Sequence, residues 1–128
     1  MKDKTALQKF AESILGAWNT QNVEKVLACY TKDLLYRDPN TTSDIRGSDA
    51  MRQYLTKLFS NWQMKWSLRE IFPIRDQDGA VILWHAIFRK AGSDKVVETD
   101  GIDIAILRGE LLARNEVYFD RVVLSALQ

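Results

Sequence analysis

At Trp62 the hydropathy period of this chain changes from about 3.6 residues to two, and that switch constrains the fold more than any other feature. Before it, Met51, Tyr54, Leu55, Leu58, Phe59 and Trp62 recur at helical spacing. After it, Trp62, Met64, Trp66 and Leu68 alternate with Gln63, Lys65, Ser67 and Arg69, as in a half-buried strand. Pro73 falls near the end of that strand. Further strands are predicted over 80–90, 95–107 and 111–120, separated by the turn signals Asp76-Gln77-Asp78-Gly79, Ala91-Gly92-Ser93-Asp94 and Arg108-Gly109-Glu110.

The first half is helical. Leu7, Phe10, Ala11, Ile14, Leu15 and Trp18 form one stripe, predicting a helix over 5–19 that Asn19-Thr20-Gln21-Asn22 ends. A short helix over 23–30 follows, with Val23, Val26, Leu27 and Tyr30 inward and Asn22 as N-cap. Leu34 to Asp38 reads as a short strand with Leu34, Tyr36 and Asp38 on one face, and Pro39-Asn40 turns the chain. Ser48 is the predicted N-cap of a helix over 49–61, and 122–127 is a closing helix or tail. Helices first and an antiparallel run after them is the α+β pattern. A strongly curved sheet wrapped around the long N-terminal helix, with two further helices, encloses a cone-shaped pocket. The whole chain, 1–128, is one domain by length, large enough to bury a core without staples.

Composition narrows the function. The net charge is +1 with no basic stripe, which leaves nucleic acid binding by bulk charge unsupported. No apolar run approaches the roughly 20 residues of a membrane span, and the N-terminus leads into an amphipathic segment. Cys29 is the only cysteine, which fits a reducing cytoplasm. One histidine and scattered acids predict no metal site and no cofactor.

The candidate chemistry lies in carboxylates. In Glu98 to Leu107, alternation puts Gly101, Asp103 and Ala105 on one face and Ile102, Ile104 and Ile106 on the other. A small residue, an acid and a small residue suggest a cavity wall; the alternative is an edge strand whose polar face meets water. Alternation points Asp38, Asp103 and Asp120 at the pocket, and Glu116 and Tyr118 share the face of Asp120. Each has a plainer reading. Asp38 organises a turn before Pro39, Asp103 pairs with a neighbouring arginine, Asp120 caps the terminal helix, and Glu116 is solvated or salt-bridged. His85 lies opposite Trp84 and Phe88 and reads as a structural or interface histidine. The candidate ligand-binding set is Ile14, Trp18, Tyr36, Tyr54, Phe59, Trp84, Phe88, Glu116 and Tyr118. An acid desolvated among aromatics has its pKa raised and can donate a hydrogen bond at neutral pH, while a wetter acid serves as base.

Five short stretches carry a family resemblance. They are Trp18-Asn19 with Val23-Glu24-Lys25-Val26, Tyr36-Arg37-Asp38-Pro39, Ile45-Arg46-Gly47, Gly101-Ile102-Asp103 and Tyr118-Phe119-Asp120. In their order and spacing the chain resembles the SnoaL-like group of the nuclear transport factor 2 superfamily. That is the cone-shaped, cystatin-like α+β barrel shared with ketosteroid isomerase, polyketide cyclases and limonene epoxide hydrolase. The resemblance implies Asp38 as the proton-moving base and Asp103 as a protonated acid beside the substrate oxygen. It implies Asp120 as the acid of cyclases of SnoaL type. The isomerase's oxyanion tyrosine would fall at Ile14, which cannot donate a hydrogen bond. The arginine-plus-two-aspartates arrangement of the epoxide hydrolase is not reproduced, since Val117 lies where one aspartate is expected. The expectation is a cofactor-independent isomerase or cyclase acting on a small hydrophobic molecule. The alternatives are a non-catalytic ligand-binding module and an interaction module. In the last, His85, Ile87, Ile102, Ile104 and Ile106 form an apolar outer face, through which superfamily members commonly make a homodimer.

Overall fold

The computed structural model describes residues 2–127. The helices are α1 (Lys4–Asn19), α2 (Val23–Leu27) and α3 (Ser48–Asn61). The strands are β1 (Tyr30–Arg37), β2 (Ile45–Arg46), β3 (Trp62–Pro73), β4 (Gly79–Lys90), β5 (Val96–Arg108) and β6 (Leu111–Tyr118), and a 3-10 segment, Arg121–Leu127, closes the chain. The strands form one curved sheet in the order β2-β1-β6-β5-β4-β3. The expected α+β class holds, with one difference in the sheet. β1 pairs parallel to β6, so the sheet is mixed rather than wholly antiparallel.

Two boundaries differ from expectation and one short strand is added, each for a physical reason. Tyr30 is inward as expected but opens β1 instead of ending α2, because it pairs with Leu112 and the Cys29 carbonyl accepts the Leu112 N–H at 2.8 Å. Sheet pairing there outweighs helical spacing. β2, a two-residue strand, pairs with Leu35 and Tyr36. Ser48 is the first residue of α3 rather than its cap. The cap is Gly47 at φ +83°, whose N–H donates to Leu34 O at 2.9 Å, and the Ser48 hydroxyl donates to Lys32 O at 3.4 Å.

α1 is capped by Asp3, whose side chain accepts the Ala6 N–H at 2.8 Å. Its stripe of Leu7, Ala11, Ile14, Leu15 and Trp18 is buried against the sheet. The break after α1 also protects the sheet edge. β3 is an edge strand, and an unpaired edge invites association. Asn19 bonds both backbone groups of Trp66, at 2.9 and 2.7 Å. Gln21 accepts from Met64 N at 2.7 Å and donates to Trp62 O at 2.8 Å. These two amides therefore fix the backbone of the three β3 residues that line the interior of the cone.

Candidate active site

Asp38 stands just past the end of β1. Two residues after Tyr36 on an extended chain, it lies on the same side, and Tyr36 Oη donates to its Oδ2 at 2.7 Å. Tyr54, from α3, donates to the same oxygen. Oδ1 accepts the Asn40 N–H at 2.7 Å, and the Asp38 carbonyl accepts from Thr41 N at 3.1 Å, a turn held by an aspartate in the usual way. The turn reading of Asp38 is thus realised, and the same carboxylate lines an inner void. Oδ2 has both lone pairs occupied, while Oδ1 keeps one. Burial, and then the Asp38 charge, push both tyrosine hydroxyls well above their ordinary value, so both remain donors.

Asp103 sits mid-β5 between Ile82 and Val117, facing inward, and is only 7% exposed. Trp84 Nε1 donates to its Oδ1 at 2.9 Å and Asn115 Nδ2 donates to its Oδ2 at 3.4 Å. Asn115 accepts the Tyr30 hydroxyl at 2.8 Å, and Tyr30 accepts Trp18 Nε1 at 3.3 Å. Four donors thus run one way toward a single carboxyl. Burial still wins: it raises the Asp103 pKa to about 7, against the lowering effect of Trp84 and Asn115 and with a smaller push from the Asp38 charge.

The two acids face separate small voids that share a wall. Asp38 lines a void of about 30 Å³ with Trp18, Tyr36, Trp66, Phe88, Val117 and Phe119. Asp103 and Asn115 line one of about 20 Å³ with Ile14, Leu15, Trp18, Tyr36, Trp66 and Val117. Each has room for about a water molecule. Trp18, Tyr36, Trp66 and Val117 border both. Asn40, Leu58, Trp62 and Leu124 line both the Asp38 void and an open groove of about 570 Å³, which also takes in Tyr54, Lys57, Asn61, Arg121, Val122 and Ser125. The groove falls in the size range of small-molecule sites. The aromatic wall interlocks edge to face, with Trp66 and Trp84 centroids 4.4 Å apart and Trp66 and Phe88 5.4 Å apart. The Trp66 indole N–H is buried and has no hydrogen-bond partner among the described residues.

Among the predicted site residues, Asp38, Asp103, Ile14, Trp18, Tyr36, Tyr54 and Phe88 come together around this cone and its mouth. Trp84 and Phe59 stand behind the wall. Trp84 anchors Asp103, and Phe59 packs edge-on against Trp18 at 5.8 Å. Three predicted positions are corrected. Glu116 and Tyr118 pair with Ile104 and Ile102, on the outer face of the sheet. The cause is a bulge: Ile106 pairs with Arg114 but Leu107 with Leu112, leaving Ala113 extra and reversing the alternation beyond it. Asn115 and Val117 turn inward instead. Glu116 is buried beneath Arg114 and Tyr118, and the Tyr118 hydroxyl at 2.6 Å, ahead of Arg114, holds its carboxyl below the usual range. Asp120 is exposed and accepts the Val122 N–H at 2.9 Å, capping the 3-10 segment. His85 faces outward between Glu98 at 2.9 Å and Asp100 at 2.8 Å. Asn115 and Trp66 were not singled out as site residues from the sequence. Only the two-residue period after the switch at Trp62 marked Trp66 as inward, and no signal marked the bulge.

A model described as SnoaL-like domain matches residues 10–115. No curated protein matches the chain at the sequence level. Among solved structures, the chain is similar to a proposed isomerase from Bacillus subtilis (TM-score 0.86, 9% identity, covering 99% of this chain and 95% of that one). It is similar to a protein of ketosteroid isomerase-like fold from Catenulispora acidiphila DSM 44928 in complex with trimethylamine (TM-score 0.81, 13% identity, 92% and 90% covered). A third is SalBIII, an epoxide hydrolase/cyclase-like enzyme in pyran ring formation in polyether salinomycin (TM-score 0.82, 14% identity, 96% and 97% covered). At these identities the likeness is one of fold.

Proposed function

The chain belongs to the SnoaL-like domain family, and on that premise we propose that it is a cofactor-independent acid/base enzyme of the isomerase or cyclase kind, with Asp38 as base and Asp103 as hydrogen-bonding acid. The observation that carries this reading is the contrast between two acids on either side of one aromatic wall. Asp38 receives only donors, keeps one free lone pair on Oδ1, and lines the inner void that shares a wall with the groove. Asp103 is buried, with its pKa at about 7, so near neutrality it holds a proton for much of the time and can donate it to an oxygen. Asp38 Oδ1 takes a proton from a carbon or hydroxyl of the substrate. The charge that develops on the neighbouring oxygen is met by the Asp103 proton and by the Trp66 indole N–H. Trp66 thereby supplies a donor that Ile14 lacks, in a wall where one such donor is worth on the order of a hundredfold in rate.

The substrate is a small, largely apolar molecule whose body lies in the groove. The inner voids admit only its reacting end, with side chains of the shared wall moving aside. The SalBIII and trimethylamine-bound relatives support a small-molecule occupant. A non-catalytic binding module is the second reading, favoured by the apolar Ile14 beside Asp103. We also propose a homodimer through the outer sheet face, where Phe72 and Tyr118 are each 45% exposed, in a cytoplasmic protein. No described helix is long and apolar enough to cross a membrane.

The test is a thermal-shift screen against steroids, aromatic polyketides and terpenoids near pH 7, followed by product analysis on each hit. A ligand at about 100 times its Kd adds roughly 2.7 kcal/mol, a rise on the order of 10 °C. The expected result is conversion of a hit by wild type and a loss of roughly 10²–10⁴ in turnover for Asp38→Asn, with binding kept. Turnover unchanged in Asp38→Asn removes the role of Asp38. Binding without conversion selects the second reading.

A further inference from the structure

The groove at the mouth of the cone carries a charge pattern that the acid/base reading leaves unused. Lys57 projects from α3 on one wall, and Arg121 opens the 3-10 segment on the other. Among the described residues neither forms an ion pair. Arg121 Nε donates to Asn40 Oδ1 at 3.1 Å, which steadies the guanidinium at the rim and leaves its other N–H groups available. Between the two cations lies an apolar floor of Leu58, Trp62 and Leu124, and behind the floor is Asp38. Charge is therefore graded along the site, positive at the rim and acidic at depth.

That gradient selects a ligand by its polarity. An anionic group deep in the cone would meet the Asp38 carboxylate, which has one lone pair free on Oδ1. The same group at the rim meets two cations, one of them a fork suited to carboxylate or sulfonate oxygens. The apolar floor between rim and acid matches the body of the molecule rather than its charge.

We propose that the ligand of this site is an amphipathic organic anion. Lys57 and Arg121 hold its acidic group at the mouth, its apolar body lies on Leu58, Trp62 and Leu124, and its uncharged end faces Asp38. The inference rests on the cone being a ligand site and adds the substrate class to it.

The test uses two fluorescent probes that differ by one anionic group, 1-anilinonaphthalene-8-sulfonate and uncharged N-phenyl-1-naphthylamine, titrated against wild type, Lys57→Gln, Arg121→Gln and the double variant. The expected result is one saturable site that prefers the sulfonate by tenfold or more. The preference shrinks in each single variant, vanishes in the double, and weakens as salt rises from about 0.05 to 0.5 M, while the uncharged probe binds all four proteins alike. Equal affinity of the two probes for wild type overturns the proposal. So does a preference that survives in the double variant, and so does the absence of saturable binding by either probe. Both side chains are exposed, so the variants should fold as wild type, and circular dichroism checks this. Failure here is distinct from failure of the acid/base reading. Probe binding involves no turnover, and the acid/base reading is decided by turnover in Asp38→Asn.

Discussion

The Trp84 indole N–H donates to Asp103 Oδ1 at 2.9 Å, and the same ring lies over Gly101, two residues from Asp103 on β5. A Cβ at Gly101 would stand 2.2 Å from the Trp84 ring. The space beside Asp103 that a small residue leaves open is therefore filled by the side chain that holds the acid. Gly101→Ala should destabilise the protein by about 1–3 kcal/mol through overpacking. Trp84→Phe keeps most of the packing and should cost about 1–3 kcal/mol through the lost donor. Urea unfolding at fixed pH measures both, and a neutral Gly101→Ala would contradict the geometry.

Stability should fall as pH rises through the weakly acidic range. Asp103 has its folded pKa raised from 3.8 to about 7, so below pH 4 both states bind the proton and there is no penalty. Between pH 4 and 7 the unfolded chain releases the proton and the folded chain keeps it, which costs about 1.4 kcal/mol per unit and about 4 kcal/mol in all. His85 acts in the same direction. Glu98, then Asp100, raise its pKa, so its contribution is present in acid and lost as pH rises through the folded value. Denaturation at pH 4.5, 6 and 8 separates the two. Asp103→Asn should flatten most of the slope, and His85→Gln only a minor part.

Tyr36→Phe and Tyr54→Phe each remove one donor from Asp38 Oδ2. Each should leave the fold intact at a cost of about 1.5–3 kcal/mol. With a converted substrate in hand, both should lower turnover, since the Asp38 carboxylate loses a donor that orients it. Unchanged turnover in both variants would place the working base elsewhere.

Trp66→Phe should cost about 1–3 kcal/mol for the vacated ring volume beside Trp18, Trp84 and Phe88, with no further cost for a lost hydrogen bond, because the buried N–H it removes has no partner among the described residues. Affinity for an oxygen-bearing ligand should fall about tenfold, as for a net bond of roughly 1.4 kcal/mol. Equal binding by wild type and variant, measured by calorimetry, would assign Trp66 to packing alone.

Glu116→Gln should leave ligand affinity unchanged, since the residue is on the outer face with Arg114 and Tyr118. Its effect should appear in unfolding experiments, as a loss of about 1 kcal/mol, because Arg114 is half exposed and solvent screens its pairing with Glu116. A change in ligand affinity with stability intact would return Glu116 to the site.

The periods in the sequence determined the order of helices and strands. They also placed Asp38, Asp103, Trp18, Tyr36 and Phe88 toward one interior, because burial imposes 3.6 and two on local pattern. The tertiary structure alone decided what depends on pairing between distant segments. The parallel alignment of β1 with β6 comes from such pairing, as does the entry of Tyr30 into β1. The extra residue at Ala113 has the same origin. It leaves no mark in local hydropathy, yet it turns Glu116 and Tyr118 outward and brings in Asn115. The directed chain from Trp18 through Tyr30 and Asn115 to Asp103 spans α1, β1, β6 and β5. Alternation can place a side chain on a face, but a hydrogen bond between faces exists only once curvature has brought them within about 3 Å.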